Sequence, residues 1–163
     1  MNLPVAEDMI RVLIVEDNPV DAEMVEQALQ EEQSWATETM LADDGEKAIE
    51  LLLEHDGRPM QQRPDLIILD LNLPKRDGAE VLQVIRTTDE LRSLPVVVLS
   101  SSPMDVMKSK LHKAKVEANC YLTKPADLDE FLALGKRFRC CYEKALRSKS
   151  WNCQHTITRG VPG

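Results

Sequence analysis

One stretch near the middle of the chain restricts the fold more than any other. Leu66–Leu69 is a run of four apolar residues, and the acid Asp70 follows it directly. A strand without polar alternation is covered on both faces, which is typical of the centre of a parallel sheet. Ligands of open parallel sheets bind just beyond the carboxyl ends of the strands. Asp70 is therefore the leading candidate for a reactive group, and Pro74 and the pair Asp77-Gly78 predict a turn after it.

Four further strands are predicted around this one. Apolar and β-branched runs place them at residues 11–15, 35–40, 95–99 and 119–122. Helical spacing of apolar residues predicts five helices, beginning near residues 19, 45, 79, 105 and 127. The alternation of strands and helices indicates a flavodoxin-like α/β fold. Its five-stranded parallel sheet has the order 2-1-3-4-5, with helices on both faces.

The length and composition favour one domain. We expect that domain at residues 10–147, an N-terminal extension at 1–9 and a polar, aperiodic, flexible C-terminal tail at 148–163. Residues 55–63 are a polar loop longer than the usual connection. The net charge of −8 gives no support for nucleic-acid binding. The sequence has neither a signal peptide nor an apolar run of membrane-spanning length, so we expect a cytoplasmic protein without a membrane partner.

The cysteines suggest neither a metal site nor a disulfide framework. Cys120, Cys140, Cys141 and Cys153 form no C-x-x-C pair and have no histidine at zinc-finger spacing. We therefore expect reduced thiols that pack in a cytoplasmic protein. Cys153 lies in the polar tail, where it would be a surface thiol.

Acids, a hydroxyl and an amine follow the ends of four predicted strands. Glu16 and Asp17 follow the first strand, Asp70 the third, Ser100 the fourth and Lys124 the fifth. In the predicted sheet these ends meet at one edge. Three carboxylates so close together repel each other, and a bound divalent cation removes that cost. Because all the candidate ligands are oxygens, the cation is Mg²⁺ or Mn²⁺ rather than zinc.

This set of groups suits phosphoryl transfer. The Asp70 carboxylate is placed to act as a nucleophile toward phosphorus and to form an aspartyl phosphate. The transferred group carries negative charge on its outer oxygens. Mg²⁺, Lys124 and the Ser100 hydroxyl would cover that charge from different sides.

The same residues resemble the receiver domain of response regulators, the phosphoaccepting half of two-component systems. The resemblance covers about residues 11–146. It rests on an acidic pair after the first strand, Asp-x-Asn-x-Pro-x-x-Asp-Gly at the third, a hydroxyl after the fourth and Tyr-x-x-Lys-Pro at the fifth. Each piece alone is weak, but all of them in order at strand ends are specific. The fold it implies is that of the chemotaxis regulators, which agrees with the predicted sheet order.

The resemblance implies roles for individual residues at the site. Asp70 is the phosphoacceptor. Glu16, Asp17 and Asp70 surround the metal, with the main-chain carbonyl of Asn72 as a further ligand. Lys124 pairs with the phosphoryl group, and the peptide bond between it and Pro125 is cis.

The resemblance also implies a switch and partners. Ser100 moves toward the phosphate and Tyr121 turns inward, which changes the face formed by the fourth helix, fifth strand and fifth helix. The long loop before the third strand and the run from Asp70 to Gly78 resemble stand-alone receivers of phytochrome-type histidine kinases. The implied partners are such a kinase, a second copy bound through that face and a downstream protein. The chain is then a single-domain signalling protein that assists its own phosphorylation and autodephosphorylation, not an enzyme with a separate substrate.

One departure and two alternatives remain. Glu117-Ala118 stands where the family has Gly-Ala, so the fourth helix ends in another way or at another residue. A haloacid-dehalogenase-like phosphatase also uses a strand-end Asp nucleophile, but it needs a second acid where this chain has Asn72. A receiver-like binding module without the chemistry is the other alternative, and the intact set of site residues argues against it. A dinucleotide-binding enzyme is disfavoured because no G-x-G-x-x-G follows the first strand.

Overall fold

The computed structural model describes residues 9–53 and 63–157, with side chains described as far as residue 148. The strands are β1 (Met9–Val15), β2 (Ala36–Ala42), β3 (Leu66–Leu69), β4 (Val96–Ser100) and β5 (Cys120–Thr123). The helices are α1 (Pro19–Glu31), α2 (Gly45–Leu53), α3 (Gly78–Thr87), α4 (Met104–Lys113), α5 (Leu128–Leu132) and α6 (Leu134–Ile157). The strands form one parallel sheet in the order β2-β1-β3-β4-β5, which confirms the predicted fold.

Two sequence predictions fall almost entirely outside the described residues. Of the N-terminal extension only Met9 is described, where it begins β1, and of the polar loop at 55–63 only Arg63. Within the described ranges, no helix has both the length and the apolar character needed to cross a bilayer.

Successive residues of β3 enter two different cores. Leu66 and Ile68 pack in the core between the sheet and helices α1, α5 and α6. Ile67 and Leu69 pack in the core between the sheet and helices α2, α3 and α4. All four are at most 2% exposed, and burying one such side chain contributes about 1.5–3 kcal/mol. The unbroken apolar run of this strand is therefore explained by cover on both faces, as predicted.

The last predicted helix is two helices in the structure, and the second continues beyond the predicted end. It is divided at Ala133, whose N–H donates to the carbonyl of Asp129 at 3.0 Å and closes α5 after five residues. The second segment, α6, then continues to Ile157. The sequence predicted a flexible tail from residue 148, and the first ten residues of that segment are part of α6. Residues 136–159 contain neither Gly nor Pro, so nothing in the main chain stops the helix there.

A disulfide joins β5 to the last helix. It links Cys120 to Cys141, 21 residues apart, with 6.1 Å between their Cα atoms. The expectation that these cysteines are reduced, unpaired thiols was wrong. Sequence spacing does not indicate this pair, because only the packing of α6 on β5 brings the two residues together. Cys140 is an exposed free thiol, and the side chain of Cys153 lies outside the described residues.

The left-handed residue that follows helix α4 lies two residues before the position where a glycine was expected. Lys115 has a left-handed main chain, with φ of 61°. Its N–H donates to the carbonyl of His112 at 3.0 Å, and the N–H of Val116 donates to that of Leu111 at 3.1 Å. These two bonds complete a left-handed C-cap. Glu117 therefore needs no unusual geometry, and the departure from the family pattern is a shift of the helix end.

One arginine holds the ends of three elements together. The guanidinium of Arg86, at the end of α3, donates to the carbonyls of Arg92, Leu94 and Glu117 at 3.2, 2.8 and 3.0 Å. It also donates to the side-chain oxygen of Asn119 at 2.9 Å. Burial lowers the pKa of Arg86. Its hydrogen bonds connect α3 to the segment before β4 and to the segment before β5.

Candidate functional site

Sheet pairing brings the predicted acids to one edge. β1 and β3 pair so that Val15 lies opposite Leu69, and the next residues along the chain are Glu16 and Asp70. The N–H of Asp70 donates to the carbonyl of Val15 at 3.0 Å and extends the pairing by one residue. Glu16 and Asp70 are 3% and 6% exposed, so two carboxylates are buried side by side.

Lys124 is the centre of this site. Its Nζ lies 2.7 Å from Glu16, 2.8 Å from Asp21 and 2.9 Å from Asp70, while its side chain is 9% exposed. An ammonium has three N–H donors, so these three carboxylates engage all of them. Lys124 thus lies beside Glu16 and Asp70, as the positions of the strand ends predict. Asp21 was not among the predicted site residues.

Burial and charge shift two protonation equilibria at the site. Burial raises the pKa of Glu16 from 4.5 to about 7, with a further increase from the Asp70 charge and an opposing effect from Lys124. Burial disfavours the charged form of Lys124, but its hydrogen bonds to Asp21, Glu16 and Asp70 outweigh that effect and raise its pKa. The ammonium therefore stays charged at any physiological pH, and the carboxylates compete for it.

Three of the acids also form a group with the dimensions of a metal site. Carboxylate oxygens of Glu16, Asp17 and Asp70 all lie within 4.8 Å of one another. Asp17 is exposed and the other two are buried, so the group opens toward solvent on one side. A set made only of carboxylate oxygens suits Mg²⁺ or Mn²⁺, which prefer hard oxygen ligands and retain water. The residues present therefore fit the predicted cation.

The hydroxyl of Ser100 faces the loop that carries Asp70. Ser100 is fully buried, and its Oγ accepts from the side-chain amide of Asn72 at 3.3 Å and from the N–H of Ser102 at 3.4 Å. The N–H of Asn72 in turn donates to a carboxylate oxygen of Asp70 at 3.1 Å. Asn72 thus connects the predicted hydroxyl to the predicted phosphoacceptor.

The loop between β3 and α3 is strained and closely packed. Lys75 has φ of 67°, and the N–H of Arg76 donates to the carbonyl of Pro74 at 2.8 Å, which together form a γ-turn. The N–H of Gly45 reaches the same carbonyl at 3.4 Å. A Cβ on Gly45 would lie 1.7 Å from the carbonyl oxygen of Arg76, so only glycine fits there. The first residue of α2 therefore forms the back wall of the loop.

Tyr121 lies away from the carboxylates, on the face formed by α4 and β5. It is half-buried, and its hydroxyl accepts from the N–H of Ala118 at 3.0 Å. The Lys108 ammonium lies 5.4 Å from the centre of its ring. Both residues line an open groove of about 990 Å³, together with Arg86 and His112.

One prediction about local geometry was wrong. The described residues contain no cis peptide bond, so the bond between Lys124 and Pro125 is trans. An X–Pro bond favours trans by only about 0.5–1 kcal/mol, and sequence alone does not determine which isomer a fold selects. In the trans form Lys124 still reaches all three carboxylates.

Comparison with known proteins identifies the family. The family model described as the response regulator receiver domain matches residues 12–135. The chain belongs to this family. The receiver is 38% identical over 126 residues to the response regulator Rcp1 of Synechocystis sp., which covers 76% of this chain and 82% of that protein. It is 30% identical over 127 residues to the polar-differentiation response regulator DivK of Brucella anthropi, covering 78% of this chain and 94% of that protein.

Solved structures resemble this receiver over most of its length. The phosphorylated cyanobacterial phytochrome response regulator RcpA superposes with a TM-score of 0.68 at 36% identity, covering 78% of this chain and 89% of that one. The Mn²⁺-bound form of Rcp1 superposes with a TM-score of 0.66 at 35% identity, covering 78% and 89%. The sheet order and the acidic group described above are therefore found in a receiver whose solved relatives include a metal-bound form and a phosphorylated form.

Two residues of the site had no distinct signal in the sequence. Asp21 lies in the first turn of α1, where an acid normally indicates only a favourable interaction with the helix dipole. Asp44 is 6% exposed, accepts from the N–H of Lys47 at 2.7 Å and lies 3.5 Å from the Lys75 ammonium. In the sequence Asp44 stands in an Asp-Gly pair before a predicted helix. That pair predicts a helix cap but not a contact with the loop between β3 and α3.

Proposed function

We propose that this receiver accepts a phosphoryl group on Asp70 from a histidine kinase, in a Mg²⁺-dependent reaction, and thereby changes its protein-interaction surface. The observation that carries the proposal is the arrangement around Asp70. A buried carboxylate at a strand end has an ammonium 2.9 Å away and two further acids within 4.8 Å. A capping or turn aspartate needs no such surroundings.

The proposed reaction is a direct displacement at phosphorus. An Asp70 carboxylate oxygen forms a bond to phosphorus while the phosphorus–nitrogen bond of the kinase's phosphohistidine breaks, and the electron pair remains on the imidazole nitrogen. Lys124 keeps its proton throughout and donates to the phosphoryl oxygens as its bond to the Asp70 carboxylate is lost. Glu16, Asp17, Asp70 and the main-chain carbonyl of Asn72 would hold the Mg²⁺, which neutralises charge on the phosphoryl oxygens when bound.

Ser100 and Tyr121 are the proposed switch residues. The Ser100 hydroxyl is buried beside Asn72 and needs only a local shift to donate to a phosphoryl oxygen. The phosphoryl group carries about two negative charges at pH 7 in place of the single charge of the Asp70 carboxylate, enough to bias such a group between two positions. Tyr121 lies in β5, which pairs with the strand that ends in Ser100. We propose that it turns inward and reshapes the face formed by α4, β5 and α6.

A phytochrome-type kinase is the proposed partner, because relatives of this chain are described as cyanobacterial phytochrome response regulators. We place this signalling in the cytoplasm, with a second copy and a downstream protein binding the α4, β5 and α6 face. The phosphatase alternative finds no support. The Asn72 amide donates to Ser100 and cannot supply the proton that a general acid would give to a leaving group.

The test is phosphorylation of the purified protein by acetyl phosphate, followed by intact-mass measurement. We expect the mass gain of one phosphoryl group with Mg²⁺ and none with EDTA. Asp70→Asn should abolish the gain, whereas Asp89→Asn, at an acid whose side chain is 88% exposed, should not change it. Equal phosphorylation of Asp70→Asn and wild type would refute the assignment. Phosphotransfer from a panel of histidine kinases then tests the phytochrome-type partner.

A further inference from the structure

We infer that Asp21 is a positioning residue for phosphoryl transfer, which holds Lys124 in place while its other partners change. The inference rests on the proposed function of Asp70. Its basis is the 2.8 Å contact between an Asp21 carboxylate oxygen and the Lys124 Nζ, a contact between residues 103 positions apart in the chain.

The three partners of Lys124 are not equivalent. Glu16 and Asp70 belong to the acidic group that fits a cation, and Asp70 is also the proposed phosphoacceptor. Both carboxylates therefore have another group to bind during the reaction, the cation for Glu16 and the cation and phosphorus for Asp70. Asp21 lies outside that acidic group and is 25% exposed at its side chain. Its carboxylate oxygen therefore stays available to accept a hydrogen bond from Lys124 at every stage.

The main chain fixes the position of Asp21. Its N–H and that of Val20 donate to the side-chain oxygen of Asn18 at 3.2 and 2.9 Å, which sets the first turn of α1. The N–H of Asn18 donates to a carboxylate oxygen of Glu16 at 3.1 Å. The start of α1 is thus fastened to the site itself, and Asp21 projects from a rigid helical turn rather than from a loop.

This geometry gives two N–H groups of Lys124 different roles. When the Asp70 oxygen bonds to phosphorus, one N–H passes from that carboxylate to a phosphoryl oxygen, and no proton is transferred. The N–H bound to Asp21 keeps the ammonium at the site during this exchange. Without Asp21, one donor of a side chain that is only 9% exposed loses its partner, and Glu16 draws the ammonium toward itself.

The experiment compares Asp21→Ala and Asp21→Asn with wild type, at saturating Mg²⁺ and over a range of acetyl phosphate concentrations. We expect Asp21→Ala to lower the maximal phosphorylation rate about tenfold, since small displacements of a catalytic group are costly. The donor concentration for half-maximal rate should change little. Asp21→Asn keeps an oxygen that accepts from Nζ, so it should restore most of the rate. The matched control is Glu23→Ala, which removes one negative charge from an exposed position of the same helix.

A second measurement follows the contact itself. In NMR spectra the ¹⁵Nζ signal of Lys124 should be sharp and slow to exchange with water in wild type and Asp21→Asn, and broadened in Asp21→Ala. Asp21→Ser replaces the Ala variant if that variant does not fold, because serine suits a first helical turn but is too short to reach Nζ.

Two results would overturn the inference. One is a maximal rate of Asp21→Ala equal to that of wild type. The other is an Asp21→Asn variant as slow as Asp21→Ala, which would assign the effect to charge rather than to the hydrogen bond. If wild type itself takes no phosphate, the proposed function fails. The NMR comparison would then still decide whether Asp21 holds Lys124.

Discussion

Reduction of the Cys120–Cys141 disulfide should lower the free energy of unfolding, by an amount that depends on the number of residues between the two cysteines. A cross-link removes entropy from the unfolded chain in proportion to the logarithm of the loop it closes. For a separation of 21 residues this model gives about 3 kcal/mol at 25 °C. In a domain of this size, 1 kcal/mol corresponds to about 2–4 °C in the unfolding midpoint. We therefore expect the oxidised protein to melt about 6–12 °C above the reduced one.

The comparison is best made within one chain. The double variant Cys140→Ser, Cys153→Ser leaves only the pair that the structure joins. Thermal and urea unfolding are then measured with and without a phosphine reductant, and peptide mapping without reduction verifies the link. Cys120→Ser in the same background is the control, because its stability should not respond to the reductant. Identical midpoints in the oxidised and reduced double variant, with the link verified by mapping, would refute the entropic argument.

Three further predictions concern the site and its supports. Because burial raises the pKa of Glu16 to about 7, the metal-free folded protein holds a proton that the unfolded chain releases above pH 4.5. This group alone should lower the stability by about 3 kcal/mol as the pH rises from 4.5 to 7, and urea unfolding in EDTA should give Glu16→Gln a correspondingly weaker decline. Gly45→Ala should destabilise by about 1–3 kcal/mol and slow phosphorylation of Asp70, because its methyl group would displace the β3–α3 loop; an unchanged urea midpoint would contradict the close packing described. Lys115→Gly should stabilise by about 1 kcal/mol by relieving the left-handed main chain, whereas the neighbouring Lys113→Gly, within α4, should destabilise by about the same amount in the same urea assay.

The fold was predictable because its strongest signals are local. The run Leu66–Leu69 and its acid are adjacent in the chain, and a buried parallel strand needs no other information to be recognised. The same holds for Lys124, which follows its strand directly. Once the sheet order is inferred, the carboxyl ends of the strands must meet at one edge, so the sequence alone places Glu16, Asp70 and Lys124 together.

The features that escaped prediction depend on distances across the fold. Asp21 meets Lys124 only because the fold brings the first turn of α1 within reach of the Lys124 side chain, and an acid in a first helical turn has a simpler explanation. Cys120 and Cys141 meet through helix packing that cysteine spacing does not encode. The trans bond before Pro125 is a choice between isomers of similar energy, which neighbouring residues decide. The left-handed residue that follows α4 is Lys115 rather than residue 117, because the carbonyls of the last helical turn accept hydrogen bonds there without a glycine.

The four hydrogen bonds of Arg86 give the groove beside Tyr121 one fixed wall. A lysine could not replace this arginine, because a single ammonium has three donors and no planar fork with which to span carbonyls of separate segments. The opposite wall is α4, whose Lys108 is held against the Tyr121 ring by an attraction that acts without a fixed direction. We therefore expect a change in the shape of the groove to come from a shift of α4, while the side that Arg86 holds stays in place.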